Sequence, residues 1–545
     1  MVSAKSQSLV ILPLVLLSFF VGVGVQQVSL AHATTSWSSP TLIDSNSGFN
    51  LLSSGLQAAN GTMWIAWQSD RNAQLTGRFD ILYKTFTNGF WSISHNLTTT
   101  GQNAGPSLVQ LSNGTIGVFW SLRVSHSYQI FYSQYRTTGW TAPSQITTTT
   151  LNDTQAAATV GHDGTVWLAW TRVDSTNPSV PAVKQLYYKT LKNGVWSADI
   201  QLTTDSNQNY GSGIVIGKDG IVRVAWSKGA PGSTYQIFQK TNNGASWTSD
   251  TQLVSSSSTD EHPSMLQDRN GTLWIFWGRL TVVSSTVQYY VLFGKYSNNM
   301  GSTWSSEIQL TNTSTSVDSF TPSAVQSTYS TKPIWIFYTS NLNVPTYDIF
   351  SITSSGIGPI HDVSITGVYA SSSLGTVWEY PGGLKSVGQS AVVTITVTVS
   401  DPGDFSQTVY VNLTATNSTN ISLGQKSGFV GPGGSVNIFF YWNTTNVKPA
   451  RYGMSAILLL VPGETYGNSF DNAISVSNQM HILPFGDVDQ DGSVTITDIS
   501  VFGFDFNYSA SCNCSHWNPY ADVANRGTID IIDITIASAN FNTST

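Results

Sequence analysis

The sequence has 545 residues and a formal net charge of −7; only 10% of the residues are charged, and 18 are tryptophan. A chain of this length exceeds a single hydrophobic core, so we expect two or three domains. The negative charge excludes nucleic acid as a partner, because the sequence holds no basic stripe to neutralise phosphates. Abundant Ser, Thr, Asn and Gly with little charge are typical of an extracellular β-protein.

Residues 1–33 have the pattern of a secretory signal peptide. Lys5 precedes an apolar run over residues 9–25, and residues 31–33 read Ala-His-Ala, a small-x-small cleavage site. The run approaches spanning length, so a retained membrane anchor is the alternative. The pattern predicts a secreted or cell-surface chain that begins near Thr34 and has no integral membrane domain. Glycosylation acceptor sites compatible with export include Asn96, Asn152, Asn312, Asn412 and Asn443.

A repeated unit of 50 to 61 residues follows. Its clearest copy has a turn at Asn60-Gly61 and a strand that ends at Trp67. The other copies pair a turn with a closing aromatic residue: Asn113-Gly114 with Trp120, Asp163-Gly164 with Trp170, Asp219-Gly220 with Trp226, Asn270-Gly271 with Trp277, and Lys332-Pro333 with Tyr338. Asn-Gly and Asp-Gly turns join tightly paired strands. Six copies of one antiparallel four-stranded sheet each predict a six-bladed β-propeller over residues 34–358.

The two ends of the repeat are complementary. A Trp-Ser or Trp-Thr strand follows most copies, but the strand at Trp37 has no copy before it, and the copy ending near Ile352 has no such strand after it. We therefore expect the N-terminal strand to form the outer strand of the sixth blade. This closure removes the exposed sheet edges that an open array would have.

One turn between a third and a fourth strand carries a family motif. Residues 297–304 match Ser-x-Asp-x-Gly-x-Thr-Trp with Asn299 in place of Asp, and residues 242–247 match in part. The motif resembles the Asp-box of sialidase-like (BNR) propellers, which implies a structural role on the face opposite the active site. A sialidase further implies three arginines, a Tyr nucleophile backed by a Glu, and an Asp acid. The sequence has no Arg-Ile-Pro signature, and its propeller repeats hold only Glu261 and Glu307.

Strand order fixes which loops share a face of the propeller. The turns between first and second strands and between third and fourth strands lie on one side, the turn face. The loops after the closing aromatic residues and the connections between blades lie on the other, the loop face, where length varies and binding is expected. A cation follows the closing aromatic residue in five copies: Arg71, Arg123, Arg172, Lys228 and Arg279.

Carboxylates in the connections face these cations: Asp44, Asp153, Asp205, Asp260 with Glu261, and Asp318. One interpretation is salt bridging between blades. The other is a cation-lined funnel that binds an anionic sugar or carboxylate, for which Arg offers bidentate geometry. A glycoside hydrolase acting on O-glycosyl bonds would need Asp260 or Glu261 together with Asp70 or Asp318. The sequence assigns no catalytic residue and leaves open whether the protein is an enzyme.

Residues 359–483 have the pattern of a β-sandwich. Long alternating strands are clear at residues 392–399, 408–415 and 436–442. The opening at residues 362–365, the segment Val387-Gly388-Gln389 and the acidic loop at residues 464–472 resemble the immunoglobulin-like adhesion modules called CARDB. The resemblance implies a spacer or adhesion unit.

The strongest chemical motif lies in residues 484–545. A twelve-residue loop places oxygen donors at positions 1, 3, 5, 7, 9 and 12: Asp487, Asp489, Asp491, Ser493 (carbonyl), Thr495 and Asp498. Calcium takes such hard oxygen ligands, and Gly492 provides the sharp turn at position 6. An acidic solvated turn is the alternative.

A second loop keeps Asp522, Asp530 and Asp533, but Ala524 and Arg526 replace two oxygen donors. We expect Arg526 to neutralise Asp522 and Asp530 in place of an ion. Two loops, each preceding a helical period, resemble a type I dockerin, which implies calcium-dependent folding, a cohesin-like partner and an association with polysaccharide degradation. Between the loops stand donors for a transition metal or a local or intermolecular disulfide: Cys512, Cys514 and His516.

The sequence thus predicts a mainly β protein with a small α-helical calcium-loop domain. Three functions remain open at this point. The propeller binds a glycan or surface ligand and the C-terminal module attaches it to a partner; or the propeller is an exo-acting, sialidase-like hydrolase; or the protein is a structural or adhesion protein of the cell surface.

Overall fold

The computed structural model describes residues 36–544, apart from 47, 72–77, 138, 176–181, 285–286, 312–316, 329–331, 344–345, 357–358, 373–377, 380–384, 389–390, 490, 510, 512–520, 524–525 and 527. The predicted signal peptide and the residues Cys512, Cys514 and His516 lie outside the described part. Trp37–Thr545 form one compact unit. None of the described helices has the length and hydrophobicity that a membrane crossing requires.

Six antiparallel sheets of four or five strands form the first part of the chain. Blade 1 contains β2 (Asn50–Gln57), β3 (Met63–Ser69), β4 (Asp80–Thr87), β5 (Phe90–Trp91) and β6 (His95–Asn96). Blade 2 contains β7 (Asn103–Gln110), β8 (Ile116–Val124), β9 (Ser127–Arg136), β10 (Gly139–Trp140) and β11 (Ser144–Gln145). Blade 3 contains β12 (Asn152–Val160), β13 (Val166–Asp174), β14 (Val183–Lys192), β15 (Val195–Trp196) and β16 (Ile200–Gln201).

The remaining blades have four strands each. Blade 4 contains β17 (Gln208–Ile216), β18 (Val222–Gly229), β19 (Gln236–Asn242) and β20 (Thr251–Gln252). Blade 5 contains β21 (Asp260–Gln267), β22 (Leu273–Val282), β23 (Gln288–Ser297) and β24 (Ile308–Gln309). Blade 6 contains β25 (Ser319–Gln326), β26 (Ile334–Ser340), β27 (Asp348–Thr353) and, as its outer strand, β1 (Thr41–Asp44).

The pairing of β1 with β27 confirms the predicted closure. Thr41 pairs with Ser351 in antiparallel register, and Trp37 bridges to Ser354. The ring also closes at its inner strands, because the Gly55 N–H donates to Ser323 Oγ at 3.0 Å across blades 1 and 6. The innermost strands contact one another in the order β2, β7, β12, β17, β21, β25 and back to β2. The six-bladed propeller predicted from the repeat is therefore confirmed.

The closing aromatic residues lie in the core of the blades. Trp67, Trp120, Trp170, Trp226, Trp277 and Tyr338 are at most 1% exposed. Four of the indoles donate to an amide or carboxylate oxygen at the start of the first strand of the same blade: Trp67 to Asn50 (3.0 Å), Trp120 to Asn103 (2.9 Å), Trp226 to Asn209 (2.7 Å) and Trp277 to Asp260 (2.7 Å). Burying a large ring and satisfying its N–H ties the two inner strands together in these four blades.

The turn at residues 297–304 folds around Asn299, which replaces the Asp of the box. Its Oδ1 accepts the Thr303 N–H at 2.8 Å, and its Nδ2 donates to Thr303 Oγ1 at 2.9 Å. Arg223, which pairs with Asp219 of a neighbouring first-to-second turn, donates to the Met300 carbonyl at 3.1 Å. The motif therefore lies on the turn face, as expected.

A two-sheet sandwich follows the propeller. One sheet has three strands: β28 (Ser364–Ser372), β31 (Val392–Ser400) and β34 (Ser435–Asn443). The other has six: β29 (Trp378–Glu379), β30 (Lys385–Gly388), β32 (Gln407–Thr416), β33 (Ile421–Val430), β35 (Ala450–Leu458) and β36 (Ala473–Leu483). Buried residues of both sheets form one hydrophobic core, among them Ile395, Phe440 and Met454. A single-turn 3₁₀ helix, Ser469–Asp471, precedes β36.

The sandwich packs on the turn face of blades 4 to 6. Lys218 pairs with Asp362 at 2.6 Å, and Arg269 pairs with Asp404 at 3.2 Å. Thr465 Oγ1 donates to the Asn270 carbonyl at 2.7 Å. Each propeller residue in these contacts belongs to a first-to-second turn, so the sandwich contacts the face opposite the variable loops.

The C-terminal segment contains helices α1 (Ile496–Asp505) and α2 (Ile531–Ala539), each opened by a capping box. The two loop–helix units pair reciprocally. Val494 of the first loop pairs with two residues that follow α2. Its N–H donates to the Thr543 carbonyl, and its carbonyl accepts the Asn542 N–H, both at 2.8 Å. Ile529 of the second loop pairs in the same way with residues that follow α1. Both apolar residues are fully buried, which explains why position 8 of each loop is apolar.

Candidate functional site

Every innermost propeller strand contains a β-bulge near the axis. The pairing between first and second strands skips two residues in each blade, and the first of the two has positive φ: Leu52, Gly105, Gln155, Gly211, His262 and Thr321. Four of these six residues are not glycine, so the left-handed conformation has a steric cost that the surrounding contacts must offset. The twelve skipped residues line a cavity of about 110 Å³.

The bulges are held by the preceding blade. In four blades the N–H of the left-handed residue donates to the side chain that directly follows the previous closing aromatic residue: Leu52 to Thr339 (3.2 Å), Gly105 to Gln68 (3.0 Å), Gly211 to Thr171 (3.2 Å) and His262 to Ser227 (3.0 Å). Blade 5 differs from this pattern. Its residue at this position is Gly278, which has no side chain to accept from Thr321.

Tyr290 lies across the gap that Gly278 leaves. A Cβ on Gly278 would lie 3.5 Å from the Tyr290 ring, so the ring packs directly over the glycine. The Tyr290 hydroxyl donates to Glu261 Oε2 at 2.6 Å. Glu261 stands immediately before the bulge of β21, and its Oε1 accepts from the Tyr210 hydroxyl of blade 4. One carboxylate is thus held between two tyrosines from two blades.

Asp318 extends this cluster toward blade 6. It accepts the Tyr290 N–H at 2.9 Å through Oδ1 and the Tyr347 hydroxyl at 2.7 Å through Oδ2. Phe320 packs between Tyr290 and Tyr347, with ring centroids 5.9 and 5.5 Å away. Tyr235 packs edge-on against Tyr210, with ring centroids 5.0 Å apart. We call this set the mouth of the propeller: Tyr210, Tyr235, Glu261, Tyr290, Asp318, Phe320 and Tyr347.

The tyrosines of the mouth are neutral donors. Burial and the neighbouring Glu261 carboxylate raise the pKa of both Tyr210 and Tyr290 above the ordinary value. Burial and the Asp318 carboxylate raise the pKa of Tyr347 to about 12. The three hydroxyls therefore stay protonated at neutral pH and donate to the carboxylates. All residues of the mouth except Tyr210 are partly exposed, so the cluster borders solvent at the loop face.

The structure separates the four carboxylates considered for hydrolysis. Glu261 and Asp318 meet around Tyr290. Asp260 is fully buried and accepts from Trp277 and Arg279, so it holds strands rather than facing solvent. Asp70 is 5% exposed and accepts the Phe49 N–H at 2.6 Å.

The motifs of the sequence do not single out Tyr210, Tyr290 or Tyr347. The sequence does contain one signal of the site. The residue after the closing aromatic residue is glycine in blade 5, at Gly278, whereas it is polar in the other five repeats: Gln68, Ser121, Thr171, Ser227 and Thr339. The break marks the blade over which an aromatic ring lies. The tyrosines themselves follow no repeat pattern.

Four of the five predicted ligand-binding cations are in ion pairs. Arg172 pairs with Asp153 and Asp199, each at 2.7 Å. Arg279 pairs with Asp260 at 2.6 Å and Glu307 at 2.7 Å. Lys228 pairs with Asp205 and Asp250 at 2.5 Å, and Arg71 pairs with Asp44.

Most of these ion pairs do not join blades. Asp153 and Asp199 belong to the same blade as Arg172, and Asp260 and Glu307 to the same blade as Arg279. Arg71 pairs with β1 of blade 6, and one of the two partners of Lys228, Asp205, lies in the connection between blades 3 and 4. The expected salt bridging between blades is thus mainly bridging within a blade. The guanidinium of Arg172 also lies 4.2 Å above the Tyr187 ring. Ligand binding by these cations stays a prediction.

Arg123 differs from the other four cations. It is exposed, and its guanidinium donates to Gln102 Oε1 at 3.0 Å; no carboxylate of the described residues pairs with it. It borders an open cleft of about 550 Å³ lined by Arg78, Gly101, Gln102, Arg123 and Ser125.

The first C-terminal loop brings acidic residues together. Ligand oxygens of Asp487, Asp489 and Asp491 lie within 4.8 Å of one another, a spacing that suits a cation. Asp487 is 4% exposed, and its Oδ1 has no hydrogen-bond partner among the described residues. Burial and the Asp498 carboxylate raise the pKa of Asp487 to about 7. The cluster can thus hold a metal ion, which would satisfy the orphaned oxygen.

Asp498 has a second role in the same loop. Its Oδ1 accepts the Val488 and Asp489 N–H groups at 2.7 and 3.1 Å, and its Oδ2 accepts the Thr495 N–H at 2.8 Å. It therefore closes the loop and caps α1 at once. Ser493 and Thr495 lie in the same loop, and Thr495 is the N-cap.

The second loop contains an arginine among its carboxylates. The Arg526 guanidinium pairs with Asp530 and lies 3.8 Å from Asp533, whereas Asp522 accepts the Arg526 backbone N–H at 2.8 Å. The expected partner Asp530 is confirmed. The guanidinium also lies near Asp533, the third residue of α2 and part of its capping box. Neutralisation of Asp522 stays a prediction.

Neither a protein-family model nor a curated protein sequence matches the chain. Solved structures do match. A protein of unknown function from Dyadobacter fermentans DSM 18053 has a TM-score of 0.48 at 12% identity, over 59% of this chain and 99% of its own. A fungal alcohol oxidase of the AA5 family has a TM-score of 0.41 at 10% identity, over 81% of this chain and 99% of its own. A Penicillium chrysogenum alpha-L-arabinanase has a TM-score of 0.42 at 10% identity, over 59% of this chain and 98% of its own. Scores and identities this low carry no inference about ligand or reaction.

Proposed function

We propose that this protein is a secreted or cell-surface carbohydrate-binding protein whose propeller binds a glycan at the mouth. The observation that carries the proposal is the contact of Glu261 with both Tyr210 and Tyr290, flanked by Asp318 and Tyr347. Carboxylates accept hydrogen bonds from sugar hydroxyls, tyrosine hydroxyls donate or accept, and aromatic faces pack on the apolar face of a pyranose ring. A rigid propeller preorganises these groups at its loop face.

The C-terminal segment would attach this propeller to a partner. In this proposal Asp487, Asp489, Asp491, the Ser493 carbonyl, Thr495 and Asp498 bind calcium, whose chemistry suits an all-oxygen shell. The second loop, with Arg526 among its carboxylates, needs no ion. The dockerin-like pattern makes a cohesin-like protein the expected partner, and the sandwich would be the spacer between propeller and partner.

The test is binding of the full mature chain, with calcium, to a panel of immobilised polysaccharides and sialosides, with retained protein and released sugar measured together. Tyr290→Phe removes one hydroxyl from the mouth and keeps the ring, so we expect affinity for the bound glycan to fall about tenfold. Tyr289→Phe is the matched control, because Tyr289 is the next residue on β23, is 4% exposed and is not part of the mouth. Unchanged affinity in Tyr290→Phe would move the binding site away from the mouth.

The second candidate function is glycoside hydrolysis at the same place, and the contact between the Tyr210 hydroxyl and Glu261 favours it. Glu261 would accept the Tyr210 proton as the Tyr210 oxygen bonds to the anomeric carbon and the glycosidic C–O bond breaks, with the leaving oxygen protonated from solvent. Water would then cleave the glycosyl–tyrosine bond and return the proton to Tyr210. Sugar release that disappears in Tyr210→Phe while retention persists would establish the hydrolase. Retention without release would establish a binding module, and neither would favour a structural role at the cell surface.

A further inference from the structure

The pleat of the second strands explains why Arg123 is separate from the other cations. Arg172, Lys228 and Arg279 each stand two residues after the closing tryptophan. In the strand register, each lies opposite the first or second residue of the innermost strand of its blade: Asp153, Asn209 and Asp260, respectively. Arg123 stands three residues after Trp120. A shift of one residue turns a side chain to the other face of a sheet.

The described residues of blade 2 lack the ion-pair network that blades 3 and 4 contain. There, Asp199 pairs with Arg172 and Lys189 at 2.7 Å, and Asp250 pairs with Lys228 and Lys240 at 2.5 and 3.3 Å. In blade 2 the corresponding residues are uncharged: Leu122 for the cation, Pro143 for the carboxylate and Ser133 for the lysine. Leu122 packs against the hydrophobic core between blades 1 and 2. Arg123 therefore does not occupy a position of that network.

A second arginine lies in the same cleft. Arg78 precedes β4 of blade 1, and its nearest carboxylate is Asp80 at 3.5 Å, a weak ion pair. Its Nε is buried and has no hydrogen-bond partner among the described residues. Two positively charged residues thus line one cleft, and an anion bound between them would offset their mutual repulsion. Gln102 and Ser125 add polar groups to the walls of the cleft.

We propose that Arg78 and Arg123 form an anion subsite for acidic polysaccharides, which recognises the carboxylate of a uronic acid or the sulfate of a sugar ester. Both groups match the fork of donors that arginine presents. The inference rests on the proposed glycan binding and narrows it to acidic chains. The subsite lies at the junction of blades 1 and 2, apart from the mouth, whose residues come from blades 4 to 6 and the connections between them.

The experiment measures affinity of the full mature chain for soluble polygalacturonate, dextran sulfate and neutral dextran at near-physiological salt. Arg78→Gln and Arg123→Gln should each weaken binding of an acidic polymer about tenfold, since each removes charge-assisted hydrogen bonds. Arg136→Gln is the matched control, because Arg136 is an exposed arginine of the same blade at the turn-face end of β9. It should change affinity by less than about twofold, the size of a screened surface charge effect.

The subsite is supported if the chain binds either acidic polymer more tightly than dextran and if both cleft variants lose this preference. The acidic polymer that binds more tightly then shows whether the subsite recognises a carboxylate or a sulfate. Equal losses in Arg123→Gln and Arg136→Gln would reduce the effect to overall charge and overturn the subsite. Retention on neutral glycans that depends on Tyr290, with no preference for acidic polymers, overturns the subsite and leaves the proposed function standing. No retention on any glycan overturns both. Thermal unfolding of each variant checks that the fold is intact.

Discussion

At the scale of single residues, Gly278 decides where the mouth lies. Five repeats place a polar side chain after the closing aromatic residue, and in four blades that side chain holds the next bulge. At Gly278 the bulge contact is given up, and the Tyr290 ring occupies the space on its way to Glu261. A local departure from a repeat thus creates the one place where a carboxylate receives two tyrosine hydroxyls among the described residues.

Substitutions at Gly278 test this explanation. Gly278→Ala should leave the mouth intact, because the added Cβ meets its neighbours at 3.5 Å, an ordinary contact distance. Gly278→Gln places in blade 5 the residue that blade 1 has at this position, Gln68. It should displace the Tyr290 ring and weaken glycan affinity about as much as Tyr290→Phe. Affinity on the same glycan is the measurement. If Gly278→Gln binds like the wild type, Tyr290 does not need the space above the glycine.

At the scale of elements, the two C-terminal loops show one scaffold used in two ways. Both loops cap a helix with an acidic residue three positions after the N-cap, and both bury an apolar residue against the opposite unit. The first loop gathers three carboxylates with an orphaned oxygen on Asp487, whereas the second contains Arg526. A fixed guanidinium supplies in the second loop the positive charge that a cation would supply in the first.

Calcium should stabilise α1 through the first loop alone. We expect the amides of α1 to exchange with deuterium about 100-fold more slowly at a calcium concentration 100 times the Kd, because binding adds to the free energy of local unfolding. Asp491→Ala should remove this protection. Asp522→Ala, the matched change in the second loop, should keep it. Protection that survives Asp491→Ala would show that the cation lies elsewhere.

At the scale of the whole molecule, the sandwich is placed by charge on the turn face of the propeller. Lys218, Arg269 and Lys332 point from three turns at Asp362 and Asp404 of the sandwich. Near this junction Glu464 accepts the Val363 N–H at 3.3 Å and the Asn472 amide at 2.8 Å. The arrangement leaves the loop face, with the mouth and the arginine cleft, on the side away from the sandwich.

This junction should make stability depend on pH. Burial raises the pKa of Glu464 to about 7. Burial also raises the pKa of Asp362 to about 6, although the nearby Lys218 lowers it. In the unfolded chain both groups have a pKa of about 4. Their contribution to stability is therefore complete below about pH 4 and is lost as the pH rises through 6 to 7. We expect the melting temperature of the sandwich to rise as pH falls from 8 to 5. Glu464→Gln should flatten this profile; an unchanged slope would assign the dependence to other groups.

The sequence by itself determined the repeat, the number of blades and the closure by β1. It could do so because these features depend on local patterns: a turn dipeptide, an alternating strand and an aromatic residue at a fixed distance. The strands of the sandwich and the acidic loop before α1 follow from the same kind of local pattern. The cations after the closing aromatic residues were also found, but counting residues treated Arg123 and Arg172 as equivalent.

Only the tertiary structure decided which side chains meet. Tyr210, Glu261, Tyr290, Asp318 and Tyr347 are far apart in sequence, and the ring of blades brings their hydroxyls and carboxylates together at the axis. The register of β8 places Leu122 rather than Arg123 at the position of the network cation, and the fold brings Arg123 to the cleft that Arg78 also lines. Contacts between distant segments depend on register and on bulge geometry, and a single sequence encodes neither in a local pattern.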